Sequence, residues 1–149
     1  MTAQDVTFAK LLADSYAKLV GEPLVPATMT GAEAAVWLYQ APFGLLAHDT
    51  SPDPVFVYAN HTAQKHFEYS WDEVIGLPSR YSAGEEDRAA RRVFLDAVRS
   101  QGYTHQYRGL RVAKSGRQFW IDDVTLWNLV NPEATLVGQA ALIRRWTDA

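Results

Sequence analysis

The chain has 149 residues, of which 48% are hydrophobic and 21% charged, with a formal net charge of −3. This balance is typical of one globular domain with a buried core, and it argues against a disordered chain. The acidic charge and the lack of a basic stripe argue against nucleic-acid binding, and no apolar run approaches the ~20 residues that span a membrane. Cysteine is absent, which removes disulfides, thiolate metal ligands and cysteine nucleophiles.

The first forty residues predict two helices joined by a loop. Apolar residues recur at helical spacing over residues 4–20, and Gly21 is a natural end for that helix. Thr30 and Glu33 have the spacing of a capping box, which predicts a second helix over residues 31–40. We interpret residues 1–42 as an N-terminal helical cap and residues 43–149 as the main domain. No signal peptide is visible, so a cytoplasmic location is expected.

The main domain begins with two predicted strands and a short helix. Residues 43–48 and 55–58 are short and rich in apolar and β-branched side chains, and a turn with two prolines separates them. Asn60 or Thr62 is placed to cap a short helix that ends near Phe67.

A capped turn and a long helix follow. Ser70 and Glu73 have capping-box spacing, and Gly76 suits the left-handed position that ends the helical turn. Residues 85–100 predict an amphipathic helix. The apolar residues expected to form its buried stripe are Val93, Phe94, Ala97 and Val98.

Three strands are predicted at residues 103–112, 118–129 and 136–146, with turns at residues 114–117 and 131–133. Helices, two strands, a row of helices and three antiparallel strands indicate an α+β fold. Such a fold places helices on one face of an antiparallel sheet.

This order of elements is that of a PAS domain, and residues 57–60 with 67–76 resemble the PAS signature. The span 43–146 resembles more closely the MEKHLA domain, a PAS-like family found in small bacterial proteins and in class III homeodomain–leucine zipper proteins of plants. The chain has neither a homeodomain nor zipper heptads, so it resembles the stand-alone bacterial form. The resemblance implies a PAS-like five-stranded antiparallel sheet and a sensory role. Its motifs are Phe43–Thr50, Asp53–Asn60, Leu77–Arg80, Trp127–Asn128 and Gly138–Ala141.

A more distant resemblance connects residues 76–81 with the flavin-binding motif of LOV domains. It implies that Arg80 lies where those domains hold the flavin phosphate, and that Ser79 lies where they carry the reactive cysteine. A hydroxyl cannot replace the thiol, so LOV-type adduct photochemistry is excluded. Ile121 replaces the asparagine that LOV domains place on the flavin ring, and Gln139 is displaced by one residue from their glutamine. These departures disfavour flavin.

The LOV register also implies that Ile121, Asp123, Thr125 and Trp127 face a pocket, with His48 opposite. A buried carboxylate needs a partner, so His48 and Asp123 would pair in a polar pocket that also includes Arg80. The alternative is a β-bulge at residues 122–123. For Arg80 the alternative is a salt bridge to Glu85 or Glu86. The predicted ligand-binding residues are His48, Asn60, Ser79, Arg80, Asp123, Thr125, Trp127 and Gln139.

We therefore expect a sensory or regulatory domain that binds a small, polar ligand and signals through protein–protein contact. A homodimer and a downstream protein partner are expected. The alternatives are a ligand-free interaction module and a small α+β barrel enzyme that uses His48 and Asp123. No nucleophile-elbow motif surrounds Ser79, so we expect no enzyme activity. Haem-binding PAS domains usually place the axial histidine on the long helix, and residues 85–100 lack histidine, so the PAS resemblance implies no haem. A metal site is not expected, because His61 and His66 are five residues apart and so do not stack on one helical face.

Overall fold

The computed structural model describes residues 2–149, apart from the side chains of residues 85 and 86. The strands are β1 (Gly44–His48), β2 (Phe56–Ala59), β3 (Tyr103–Val112), β4 (Gln118–Val130) and β5 (Leu136–Asp148). The helices are α1 (Val6–Val20), α2 (Gly31–Gln40), α3 (His61–Phe67), α4 (Trp71–Val74) and α5 (Glu85–Gln101), with a 3₁₀ helix at Ser79–Ser82. Among the described residues, no helix combines the length and apolar character needed to cross a lipid bilayer.

The five strands form one antiparallel sheet in the order β2–β1–β5–β4–β3, which confirms the predicted α+β fold. The inner face packs against α3, α4 and α5, and the outer face packs against α1 and α2. Alternation along β1 serves both layers, because Leu46 joins the inner core and Leu45 the outer core. The predicted N-terminal helical cap therefore covers the outer face of the sheet, while the boundary between residues 42 and 43 stays a prediction.

Local capping explains where most helices begin. Asp5 accepts a hydrogen bond from the Phe8 amide at 2.7 Å and starts α1. Ser70 and Glu73 form both bonds of a capping box, as the sequence predicts. Thr30 precedes α2 but makes no side-chain bond to it, so the capping box predicted there is wrong. Gly31 has a φ of 59°, and the backbone at this entry is therefore not that of a capping box.

A β-bulge in β4 changes which side chains face inward. Ile121 pairs with Gly109 and Val124 with Tyr107, so two residues of β4 oppose a single residue of β3. Asp123 takes up the extra length with a φ of 52°. Before the bulge, Phe119 and Ile121 face inward, so the inward residues have odd numbers. After it, Val124 and Leu126 face inward, so they have even numbers. The bulge alternative is confirmed, and the LOV-derived register is wrong beyond Ile121.

The buried stripe of α5 also differs from the prediction. Val93 is 70% exposed, whereas Val98 is buried and Leu95 packs against the inner core. Arg91 lies four residues before Leu95 and seven before Val98, so it shares their face of the helix. The buried face of α5 therefore includes Arg91, and the predicted core position of Val93 is wrong.

Candidate ligand-binding site

A cavity of about 40 Å³ lies between the inner face of the sheet and α5. Most of its lining is apolar, from residues such as Leu46, Phe56 and Ile143. A cavity of this size has room for a few water molecules, since one water needs roughly 10–15 Å³. The polar side chains of its lining are His48, Ser82, Arg91, Tyr107, Arg111 and Gln139.

His48 ends β1 with its ring at this cavity, and only 7% of the residue is exposed. Its Nδ1 lies 2.9 Å from the carbonyl oxygen of Asp49. A carbonyl only accepts, so Nδ1 carries the proton and Nε2 holds a lone pair. Among the described residues, this buried Nε2 has no hydrogen-bond partner. Burial, with the nearby charge of Arg91, lowers the pKa of His48 to about 4, so the ring is neutral at pH 7.

Two arginines reach the same cavity from different elements. Arg111 of β3 is 5% exposed, donates to the Tyr107 hydroxyl at 3.1 Å and lies 3.5 Å from Asp87. Arg91 is partly exposed, yet burial and then the charge of Arg111 lower its pKa to about 10. Sequence reasoning missed both residues, although the helical spacing of Arg91 with Leu95 was a readable signal.

Gln139 connects the cavity wall to α5. It pairs with His48 across one side of β5 and with Asn128 across the other. Its Nε2 donates to the Leu95 carbonyl at 3.0 Å and to Asn128 Oδ1 at 3.1 Å. A Cβ on Gly138 would collide with the His48 carbonyl oxygen, so glycine lets β5 approach the end of β1.

Asn60 has no exposed surface, and both polar atoms of its side chain form hydrogen bonds to the main chain. Its oxygen accepts the Leu45 amide at 3.0 Å and the Ala63 amide at 3.1 Å. Its nitrogen donates to the carbonyls of Leu38 at 3.1 Å and Phe43 at 2.9 Å. These four bonds saturate the amide, so a ligand contact would have to break one of them.

Ser79 and Arg80 lie outside the cavity, on a groove beside it. Ser79 is 1% exposed. Arg80 is exposed, pairs with Asp53 at 3.1 Å and covers the ring of Tyr81. The salt bridge predicted from Arg80 to residues 85 or 86 lies outside the described side chains.

Thr125 and Trp127 belong to the outer face, because the bulge turns them away from the cavity. Trp127 packs edge-on against Tyr16 of α1, with ring centroids 4.9 Å apart. The Thr125 hydroxyl accepts a bond from Arg144 at 2.9 Å, and the same guanidinium donates to the carbonyl of Asp123. Of the predicted residues, the structure brings only His48 and Gln139 to the cavity. The predicted pairing of His48 with Asp123 is not formed among the described residues.

A family model described as the MEKHLA domain matches residues 6–148. The chain belongs to the MEKHLA domain family. The match includes α1 and α2, so these helices fall within the family's domain. A search of curated proteins finds no match.

Solved structures similar to this MEKHLA domain are PAS and LOV domains. A PAS domain from Colwellia psychrerythraea aligns with a TM-score of 0.65 and 18% identity, covering 77% of this chain and 92% of that chain. A LOV domain studied with a flavin analogue aligns with a TM-score of 0.60 and 25% identity, covering 74% of this chain and 82% of that chain. The LOV domain of a blue-light activated histidine kinase from Erythrobacter litoralis aligns with a TM-score of 0.59 and 20% identity, covering 70% of this chain and 96% of that chain. The fold is therefore that of PAS and LOV domains.

The cavity of this MEKHLA domain does not fit a flavin ring. Its volume of about 40 Å³ is far below the about 150 Å³ cavity that binds benzene. Phe56 and Ile121 fill inner space, and the Gln139 amide nitrogen is bound to main chain of α5 and to a neighbouring strand. Arg80, which resembles the flavin-phosphate residue, is already paired with Asp53.

Proposed function

We propose that this MEKHLA domain is a sensory module that binds a small, polar ligand in the cavity beside His48. The observation that carries the proposal is the buried Nε2 of His48, a hydrogen-bond acceptor without a partner among the described residues. A buried polar atom left unpaired costs roughly 1–3 kcal/mol, so a hydrogen-bond donor is expected to occupy the cavity beside Nε2. A bound donor would supply the missing hydrogen bond.

The ligand signal would travel through the groups that surround the cavity. Gln139 touches the same cavity as His48 and holds α5 through the Leu95 carbonyl. If the ligand binds more tightly when α5 is in one of two positions, it would shift the domain toward the conformation with α5 in that position. We propose that the shift is passed on by protein–protein contact, within a homodimer and to a downstream partner.

The second candidate is a ligand-free interaction module. The small cavity favours it, because ligand pockets usually measure about 300–1,000 Å³. An enzyme is not proposed, because Asp123 does not line the cavity that contains His48. The two remaining candidates differ in one observable property, which is whether a small molecule stabilises the folded chain.

The test is native mass spectrometry of the purified protein, followed by thermal unfolding with a panel of small polar metabolites. We expect a retained molecule, or a raised unfolding temperature with at least one compound. His48→Leu should weaken that binding at least about tenfold, because it removes the acceptor at nearly constant volume. His61→Leu, an exposed histidine outside the cavity, is the matched control and should change nothing.

Two results would contradict the proposed site beside His48, and the first of them would support the interaction module instead. One is a wild-type protein with no bound mass and no stabilisation by any compound. The other is a compound that binds His48→Leu as tightly as wild type, since its site would then lie elsewhere.

A further inference from the structure

An open groove of about 690 Å³ lies next to the cavity, between α5 and the segment 49–54. His48, Arg91, Leu95 and Gln139 line both spaces, so the cavity and the groove share one wall. A molecule larger than the cavity can therefore place one end at His48 and the rest in the groove.

The groove is lined by more positive than negative side chains. Two of its three aspartates are already engaged, since Asp53 pairs with Arg80 and Asp49 accepts bonds from Ser51. No ion pair or hydrogen bond from the side chains of Arg92 or Arg99 is found within the described part of the chain. Such a surface attracts anions. Its charged residues are Arg80, Arg88, Arg91, Arg92 and Arg99, with Asp49, Asp53 and Asp96.

Arg91 stands where the groove meets the cavity. One carboxylate, Asp87, lies near Arg91 and Arg111, and its contact at 3.5 Å is with Arg111. Within the described side chains, Arg91 makes no ion pair or hydrogen bond. A desolvated guanidinium of this kind is costly unless an anion accompanies it. The planar fork of arginine suits a carboxylate or a phosphate.

His48 adds a second requirement on the ligand. Its Nε2 is an acceptor, because Nδ1 donates to the Asp49 carbonyl. An anionic oxygen facing this lone pair would be repelled, whereas an O–H or N–H group would be bound. The ligand must therefore offer a negative group to Arg91 and a donor to His48.

We propose that the cavity and groove form one site for a small organic anion, with its carboxylate or phosphate on Arg91 and a hydroxyl or amino donor on His48 Nε2. This inference rests on the proposed sensory function and names the ligand class of the same site. It differs from the LOV-derived expectation, in which Arg80 would hold the anion. Arg80 already has a carboxylate partner in Asp53.

The test compares four probes by isothermal titration calorimetry. Glycerol phosphate and glycerate carry an anion and hydroxyl donors, inorganic phosphate carries the anion without the carbon chain, and glycerol carries the donors alone. We expect at least one of the two organic anions to bind at least about tenfold more tightly than glycerol and inorganic phosphate. The phosphate and carboxylate arms identify which anionic group the site prefers. Added salt should weaken the binding.

Variants locate the site. Arg91→Gln should weaken binding of the preferred anion at least about tenfold. Arg145→Gln removes an exposed arginine that lines neither space and should leave the affinity unchanged. Thermal unfolding without probes serves as the folding control. Arg91→Gln should unfold at a temperature at least as high as wild type, because it removes a desolvated charge.

The outcomes separate this inference from the proposed function. Organic anions that bind no tighter than glycerol, or equally well to Arg91→Gln, would overturn the inference. If the purified protein then retains a neutral molecule whose binding depends on His48, the sensory proposal stands without it. If neither the four probes nor the metabolite panel bind and no mass is retained, both proposals fail, and water alone fills the cavity.

Discussion

Replacing Asn60 with alanine is expected to lower the free energy of unfolding by about 4 kcal/mol, near the upper end for single substitutions. The side chain makes four buried hydrogen bonds, to the main chain of α2, of α3 and of the segment that begins β1. Alanine would leave two amides and two carbonyls unpaired and would open a cavity at a position without solvent access. Chemical denaturation, monitored by tryptophan fluorescence, measures the loss.

Two variants calibrate this expectation. Asn60→Asp keeps the accepted bonds from Leu45 and Ala63 but turns a carboxylate oxygen toward two carbonyls, so it should also destabilise strongly. Thr62→Val removes the single bond from the Thr62 hydroxyl to the Ala41 carbonyl and should cost about 1 kcal/mol. If Asn60→Ala costs no more than Thr62→Val, Asn60 does not join these elements as described.

The second large effect is a loss of stability in acid that depends on His48. Burial lowers the pKa of this histidine from 6.5 to about 4 in the folded chain. As the pH falls from 6.5 toward 4, His48 binds a proton in the unfolded chain but stays neutral in the folded chain. Stability is therefore complete above about pH 6.5 and falls by about 3 kcal/mol by pH 4. Unfolding measurements at pH 7, 6, 5 and 4 give this slope.

His48→Leu should flatten the slope between pH 6.5 and 4.5. The pKa of His66 is also lowered, by burial first, so a smaller slope of the same sign should remain. Below that window the carboxylates contribute, because hydrogen bonds from Lys114 and the Ser70 amide lower the pKa of Glu73 to about 2. His61→Leu should retain the wild-type slope. A slope unchanged in His48→Leu would contradict the buried, neutral state of His48.

Local sequence chemistry was enough to predict most of the elements. The capping box at Ser70 and Glu73, the left-handed Gly76 and the end of α1 at Gly21 are set by neighbouring residues, and the structure has all three. The order of strands and helices then limited the main domain to an antiparallel sheet with α3, α4 and α5 on one face. The prediction of a buried Val93 was wrong. The arginines of α5 are spread around the helix, so the apolar residues alone did not show which of two faces is buried.

The site was harder to predict because it depends on contacts between distant residues. The two-against-one pairing at residues 122–123 decides that Trp127 faces α1, and a LOV register without that bulge turns it the wrong way. Arg91 and Arg111 meet only after α5 packs across β3. His48 was identified correctly as facing inward, but its environment is two arginines and an amide rather than Asp123.

The most direct test of the account is the nitrogen NMR spectrum of protein labelled with ¹⁵N-histidine. At pH 7 His48 is expected to be neutral, with a proton on Nδ1 and none on Nε2. The organic anion that binds in calorimetry should shift the Nε2 resonance by hydrogen bonding, and in Arg91→Gln the same shift should need at least about ten times the concentration of that anion. A protonated ring at pH 7, or an Nε2 resonance that stays unchanged at saturation, would contradict a ligand site between His48 and Arg91.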